Sequence, residues 1–392
     1  MPRGFATLAS HRGRSFRLTC GERKAILQSG IIESNVTEVE SMSNDESTRA
    51  DEYYAGLGEY EVAALWKQLA TLLPPEPTSP AQPYIWRYDQ IRPLLMEAGE
   101  VVTAEEAERR VLMLINPGLA PKAAAVTNVY AGIQLVQPGE VAPAHRHAAA
   151  ALRFVIEGSG GYTAVNGERA FMHPGDLVLT PSWTWHDHGN ETADPMIWLD
   201  GLDLPLINDL DANFFGGALE QSQTETKPAD YSANAYGGGK LAPRWEEDEW
   251  SERYSPLVRY PWDETRAALI NAASVTAGSA ADGVILEYTN PLSGGPVMPT
   301  LAAYVQLMRA GAETTAHQHT TNTVYHVKEG NGTSIVGGER IEWGPRDTFA
   351  VPGWAVHEHI VGDQDAILFS MSDEPVMRSL GFLRQQEAGS QR

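Results

Sequence analysis

Six of the eleven histidines in this 392-residue chain fall into two sets of the same shape: His145-Arg-His147 with His186, and His317-Gln-His319 with His357. Residues at i and i+2 on a strand project from the same face. His145 and His147 can therefore grip one ion from a single strand, while His186, forty-one residues after His145, arrives from a later one. Three neutral imidazoles on one face of an octahedral metal leave three adjacent positions open for substrate and a small gas molecule. The ligand type alone suits iron, copper, nickel and zinc about equally. Buried, hydrogen-bonded histidines are the bland alternative, and for an isolated H-x-H they are the commoner case. Cys20 is the single cysteine, so neither a Cys-based zinc site nor an intrachain disulfide is available, which fits a reducing cytoplasm.

The frame around the histidines is also duplicated. Gly139, His145, His147 and Gly158 match Gly311, His317, His319 and Gly330, each 172 residues later. Gly167-Glu-Arg169, Pro181-Ser-Trp183 and His186-Asp-His188 match Gly338-Glu-Arg340, Pro352-Gly-Trp354 and His357-Glu-His359, each 171 later. One residue is therefore lost between Gly158 and Gly338, where a hairpin loop is expected to absorb it.

The elements that must position these residues follow from periodicity. Residues 1–50 are expected to be a disordered arm, or in part a stretch upstream of a start at Met42; residues 51–108 form a helical segment. Within it, Tyr54, Leu57, Tyr60, Val62, Leu65, Trp66 and Leu69 predict one helix from 51 to about 73, and a second amphipathic helix is expected over 88–98. Residues 109–208 consist of short β-prone runs punctuated by Gly and Pro and form the first β domain. Residues 209–283, with Tyr236-Gly-Gly-Gly239 and the acidic patch Glu246-Glu-Asp-Glu249, read as an irregular linker with a helix over 264–273. A second β domain covers 284–374, and a helical tail covers 375–392.

The repeats resemble the cupin superfamily. G-x5-H-x-H matches Gly139, His145 and His147, with Ala151 in the usual glutamate slot; G-x5-P-x-G-x2-H-x3-N matches Gly175, Pro181, His186 and Asn190, with Trp183 replacing a glycine. In the later repeat Thr323 takes the glutamate slot and Arg346 the glycine position before Asp347. The fold implied is mainly β: a bicupin of two double-stranded β-helix (jelly-roll) barrels with flanking helices. Longer strings resemble gentisate 1,2-dioxygenase and its relatives acting on salicylate and 1-hydroxy-2-naphthoate. They include Asn116-Pro-Gly-Leu119, Ala142-Pro-Ala-His-Arg-His147, Pro181-Ser-Trp-Thr-Trp-His-Asp-His188 and Asp200-Gly-Leu-Asp203.

That resemblance implies ferrous iron, one per cupin domain, and ring opening of gentisate with O2 to maleylpyruvate. It implies that Arg109, Gln134 and Arg153 hold the carboxylate region, that His188 sits beside substrate and oxygen, and that Asp200 addresses the distal hydroxyl. From the residues alone, Arg153 and Arg109 could be surface charges and Asp200 a turn residue before Gly201. Gln134, among apolar neighbours, needs a buried partner or a ligand. Trp183 and Trp185 are expected to pack the barrel. Salicylate or hydroxynaphthoate remain alternative substrates, and a non-enzymatic ligand-binding bicupin is the alternative outside enzymes.

The formal charge of −22 disfavours nucleic acid and anionic membranes as partners, and no run of 18 or more uncharged apolar residues suggests a membrane span. In such a field an anionic substrate needs arginines placed in its pocket. A cytoplasmic homo-oligomer, a tetramer by the resemblance, is expected.

Overall fold

The computed structural model describes residues 36–218, 220–237, 243 and 253–389. Gly238, Gly239 and the acidic patch at 246–249 lie outside them, as do the first 35 residues of the expected arm. Up to Pro74 the chain forms one unit, and Pro75–Arg392 forms another.

In the first unit the arm and helix expectations need correction. Val36–Leu57 is a continuous helix, uninterrupted by Gly or Pro until Gly56. The single helix expected over 51–73 is then broken: Gly58–Tyr60 is a 3-10 turn, Glu61 takes φ +53°, and a new helix runs Leu65–Leu72. Two glycines within three residues and a left-handed residue end the first helix where hydrophobic periodicity alone would carry it on.

The second unit holds two eight-stranded barrels, confirming the bicupin fold. The first comprises β1 (Tyr130–Val136), β2 (Val141–His147), β3 (Ala151–Glu157), β4 (Tyr162–Val165), β5 (Glu168–Phe171), β6 (Leu177–Thr180), β7 (His186–Gly189) and β8 (Met196–Leu202). Its two sheets order as β6-β3-β8-β1 and β2-β7-β4-β5. The second repeats the plan with β9 (Ala302–Met308), β10 (His317–His319), β11 (Thr323–Glu329), β12 (Gly332–Val336), β13 (Glu339–Trp343), β14 (Thr348–Val351), β15 (His357–Val361) and β16 (Ala366–Ser372). Its sheets order as β14-β11-β16-β9 and β13-β12-β15-β10. The one-residue length difference falls between β3 and β4, against β11 and β12. That connection passes from one sheet to the other, so it is not the hairpin expected from the sequence.

Further segments extend these sheets. Phe215–Gly217 pairs with β2, and Gln385–Glu387 pairs with β10. The tail expected to be helical is therefore a short helix, Glu374–Ser379, followed by a strand. Arg259–Tyr260, within the expected linker, pairs with β6, while Tyr84–Trp86 pairs with β14 of the other barrel.

The helices Tyr88–Val101 and Trp262–Val275 have equal length and matching anchors. Asp347 accepts from Arg87 and from the Tyr88 N–H, and Asp176 accepts from Arg259 and from the Trp262 N–H. A carboxylate at a helix start satisfies an otherwise orphaned donor and complements the helix dipole. So the internal repeat reaches beyond the barrels, and each helix start is tied to the barrel that its own repeat does not contain.

Phe154 of β3 stacks on Phe369 of β16 with centroids 4.3 Å apart, inside one buried cluster that spans both barrels. Truncating such a ring costs about 3–5 kcal/mol, so the barrels share a core. Two motif departures keep the backbone shape of the residue they replace. Arg346 holds φ +71° where Gly175 holds +99°, and Trp183 and Trp354 hold +60° and +67°.

Candidate metal centre and its pocket

His145 and His147 lie on β2 and His186 on β7, and β2 pairs with β7 so that His145 stands opposite His186. One ring nitrogen from each comes within 4.8 Å of the others. Each Nδ1 meets a backbone carbonyl: Pro143 at 2.9 Å, Ala149 at 2.7 Å and Thr184 at 2.9 Å. The Nδ1–H donates, so each Nε2 presents a lone pair to the shared centre. His186 Nε2 is buried with no hydrogen-bond partner. Burial, helped by Arg109, pushes His145 down to about 3, and burial pushes His147 down to about 4. His186 is held well below its ordinary value by burial and His145. Three converging neutral lone pairs fit a divalent cation and little else. Ala151, in the usual glutamate slot, supplies no fourth ligand.

His188 lies two residues beyond His186 on the same face, fully buried, its ring 5.7 Å from that of His186. Its Nδ1 is 2.9 Å from Thr163 Oγ1, and that hydroxyl donates to Met172 Sδ. The hydroxyl therefore accepts from Nδ1–H, which leaves Nε2 of His188 able to accept a proton. Burial and Arg153 hold the ring neutral.

Register places Arg153 and Asp200 in one cross-strand row and Gln134 in the next row on the same face. Asp200 on β8 stands opposite Arg153 on β3 and opposite Gly132 on β1. Gln134 on β1 is opposite Trp198. Arg153 and Asp200 are both nearly inaccessible, so the surface-charge and turn alternatives for them are excluded. Arg153 Nη1 donates to Thr180 Oγ1 at 2.5 Å. Its Nε is 3.3 Å from Asp200 Oδ1, yet the N–H is aimed too poorly to form a hydrogen bond. Gln134 Nε2 and Arg109 Nε are likewise buried without an acceptor. Buried donors left without an acceptor are costly unless an anion or polar ligand meets them. Asp200 accepts from Trp198 Nε1 at 3.0 Å, and burial raises it to about 6 against the pull of Arg153.

Sequence reasoning missed two neighbours and misplaced two indoles. Phe215 stacks on His145 with centroids 5.9 Å apart and lies under the Arg109 guanidinium at 5.6 Å. It sits in the supposed linker, and Phe214-Phe-Gly-Gly217 was the available signal. Tyr130 precedes Gly132 and Gln134 at the same two-residue step and is buried. Trp183 and Trp185 do not pack the barrel. Trp183 is 41% exposed, and the Arg146 guanidinium lies 4.3 Å from one indole and 4.6 Å from the other. Outward placement of Arg146 between two inward histidines follows from strand alternation.

The second barrel brings His317, His319 and His357 together in the same way, with Nδ1 partners Thr315, Thr321 and Ala355. His359 repeats His188, with Ser334 Oγ 2.7 Å from its Nδ1.

Fold and site together define a bicupin with a cluster of three histidines able to hold a metal ion in each barrel. The cupin domain family matches residues 132–202 and 304–372. The chain is 45% identical to 5-aminosalicylate 1,2-dioxygenase of Comamonas sp over 86% of this chain and 90% of the relative. It is 41% identical to gentisate 1,2 dioxygenase 1 of Aquipseudomonas alcaligenes over 85% of this chain and 95% of the relative. Its structure superposes on salicylate 1,2-dioxygenase of Pseudoaminobacter salicylatoxidans, in adducts with gentisate, with a TM-score of 0.82 and 35% identity over 87% and 94% of the two chains. The chain belongs to the gentisate 1,2-dioxygenase family of bicupin ring-cleaving dioxygenases. It is accordingly an enzyme, which removes the non-enzymatic ligand-binding alternative.

Proposed function

We propose that this enzyme opens gentisate between the carboxylate-bearing carbon and the adjacent hydroxylated carbon, adding both atoms of O2 to give maleylpyruvate. The observation that carries this reading is the set of buried donors without acceptors, on Arg109, Gln134 and Arg153, beside the tri-histidine centre. Their chemistry matches a substrate carboxylate, which a planar guanidinium recognises with charge-assisted hydrogen bonds.

Ferrous iron held by His145, His147 and His186 supplies the electron exchange that O2 needs to react with an aromatic ring. The protein does the rest. Arg153, Arg109 and Gln134 hold the carboxylate end and fix which ring carbon faces the centre. His188 Nε2 takes or returns a proton beside the reacting carbon. Ionised Asp200 accepts a hydrogen bond from the distal ring substituent, and Phe215 shields the centre from water. A metal ion is expected in the second barrel as well.

A second reading, cleavage of 5-aminosalicylate, is favoured by the same Asp200. A carboxylate accepts equally from an amino group or a hydroxyl placed para to the ortho hydroxyl, whereas salicylate and 1-hydroxy-2-naphthoate offer it no donor there. No helix among the described residues is long and apolar enough to cross a membrane. We place the enzyme in the cytoplasm as a homotetramer, which light scattering checks directly.

The deciding experiment is oxygen uptake by anaerobically iron-reconstituted protein with gentisate, 5-aminosalicylate, salicylate and 1-hydroxy-2-naphthoate, followed by absorbance of the ring-opened product. Turnover of gentisate ahead of salicylate supports the reading. Absence of iron-dependent uptake with all four acids overturns it.

A further inference from the structure

The second barrel keeps the three histidines but reverses the charge around them. Tyr325 pairs with Ser370 across β11 and β16 as Arg153 pairs with Asp200 across β3 and β8. Tyr304, opposite Ser370, takes the register position of Gly132, beside which the first barrel places the Tyr130 hydroxyl. The strand Val284–Glu287 pairs with β9 as Arg110–Met113 pairs with β1, so Ile285 faces Gln306 as Val111 faces Gln134. Asp282 and Gly283 therefore enter where Glu108 and Arg109 enter the first barrel. Neither substrate-facing arginine has a counterpart.

Carboxylates stand there instead. Asp282, Glu287 and Glu374 line a cavity of about 340 Å³ together with His317 and His319. Its one guanidinium, Arg378, is ion-paired to Glu374, and the same carboxylate accepts from Tyr304 Oη at 2.8 Å. Gln306 Nε2 donates to the Asp282 backbone oxygen at 2.6 Å, whereas the equivalent nitrogen of Gln134 has no acceptor. The donors that await an anion in the first barrel are missing or already engaged in the second.

Asp282 also stands on the metal side of the triad. Its Oδ1 is 3.7 Å from His317 Nε2, the nitrogen opposite the one that meets the Thr315 carbonyl. A carboxylate in that position accepts hydrogen bonds from the water on a bound ion and adds attraction for a cation.

We propose that the second barrel is an aqua-metal centre: His317, His319 and His357 hold a divalent cation, Asp282 anchors its water, and the surrounding carboxylates exclude the aromatic acid that the first barrel binds. The two barrels then divide the inherited site, one for metal with organic anion and one for metal with water. Only the acid-binding half of this statement rests on the proposed function.

The test counts ligands rather than turnover. Anaerobic protein is dialysed against ferrous iron, metal is assayed, and gentisate binding is titrated by calorimetry. Wild type is expected to hold two irons and one gentisate per chain, His317→Ala one iron and one gentisate, and His145→Ala one iron and no gentisate. In the His145→Ala background, Asp282→Asn should weaken iron binding at least fivefold. Two gentisates per chain, gentisate bound by His145→Ala, iron content unchanged by His317→Ala, or an Asp282→Asn variant with unaltered iron affinity would each overturn the proposal. If no form binds gentisate, the proposed function fails, and the iron counts with the Asp282→Asn affinity still decide the second centre. Should His317→Ala not fold, the wild-type ratio of irons to gentisates decides the matter, two to one supporting the proposal and equal numbers overturning it.

Discussion

Arg153 and Asp200 face each other across adjacent strands, Nε to Oδ1 at 3.3 Å, with both side chains almost wholly inaccessible to water. The pair is incompletely joined: the Arg153 Nε–H finds no acceptor. A guanidinium that keeps a donor in reserve while its charge is balanced is poised for a second anion, at a smaller desolvation cost than an unpaired arginine would carry. Arg153→Lys keeps the charge and loses the fork, so kcat/KM for gentisate should fall about 10- to 100-fold, chiefly through KM. Iron content should not change. Parallel loss of iron and activity would assign Arg153 to the barrel rather than to the substrate.

Asp200 should leave a mark on the pH profile. Burial raises it to about 6, so in the free enzyme it is protonated below that pH and ionised above. The ionised form accepts from a donor on the ring more strongly, because the hydrogen bond is then charge-assisted. The kcat/KM for gentisate should rise as pH increases through about 6, and Asp200→Asn should flatten this limb. The same variant should narrow the gap between gentisate and salicylate. A limb that survives Asp200→Asn would assign the titration to another group.

Phe215 is 60% exposed, yet it stacks on His145 and lies against Arg109. An exposed ring contributes little to the core, so Phe215→Ala should shift the thermal midpoint by no more than a few degrees. Its loss opens the metal centre to water, and steady-state assays should show kcat/KM lowered by about tenfold. A variant with unaltered kinetics would show that the ring covers nothing the reaction uses.

Acid should unfold the metal-free protein early. His145, His326 and His359 are pushed down to about 3 and His147 to about 4, in each case chiefly by burial, from an ordinary value of 6.5. Below 6.5 the unfolded chain takes up protons that the folded chain refuses. Stability is therefore full above that pH and is lost progressively as pH falls toward 4, on the order of 2 kcal/mol at pH 5 for each fully buried ring. Asp200 and Asp203, both raised to about 6, act oppositely, costing stability as pH rises from about 4 to 6; the four rings outweigh them. Urea unfolding of chelated protein at pH 7.5, 6 and 5 measures the trend, and a midpoint that stays level across the series would refute it. Ferrous iron should raise the midpoint at pH 7.5, by mass action on a site the unfolded chain lacks.

The histidine triads, the duplicated frame and the two barrels were legible in the amino-acid sequence because each rests on local rules. A two-residue step puts His145 and His147 on one face whatever the rest of the chain does, and a shift of 172 residues is visible without coordinates. Gln134 was legible as a buried amide in need of a partner, since an apolar strand leaves such a group few alternatives. Pairings between distant residues were not. Arg153 and Asp200 are forty-seven positions apart, and only the register of β3 against β8 sets them opposite each other. The addition of Phe215–Gly217 and Gln385–Glu387 to the sheets, and the exchange of helix anchors Asp176 and Asp347, depend in the same way on which strand edge each barrel leaves unpaired. The contrast between the two pockets arises from that register as well. Alignment at a fixed offset reveals that Tyr325 replaces Arg153, but closure of the barrel is what brings Asp282 to within 3.7 Å of His317.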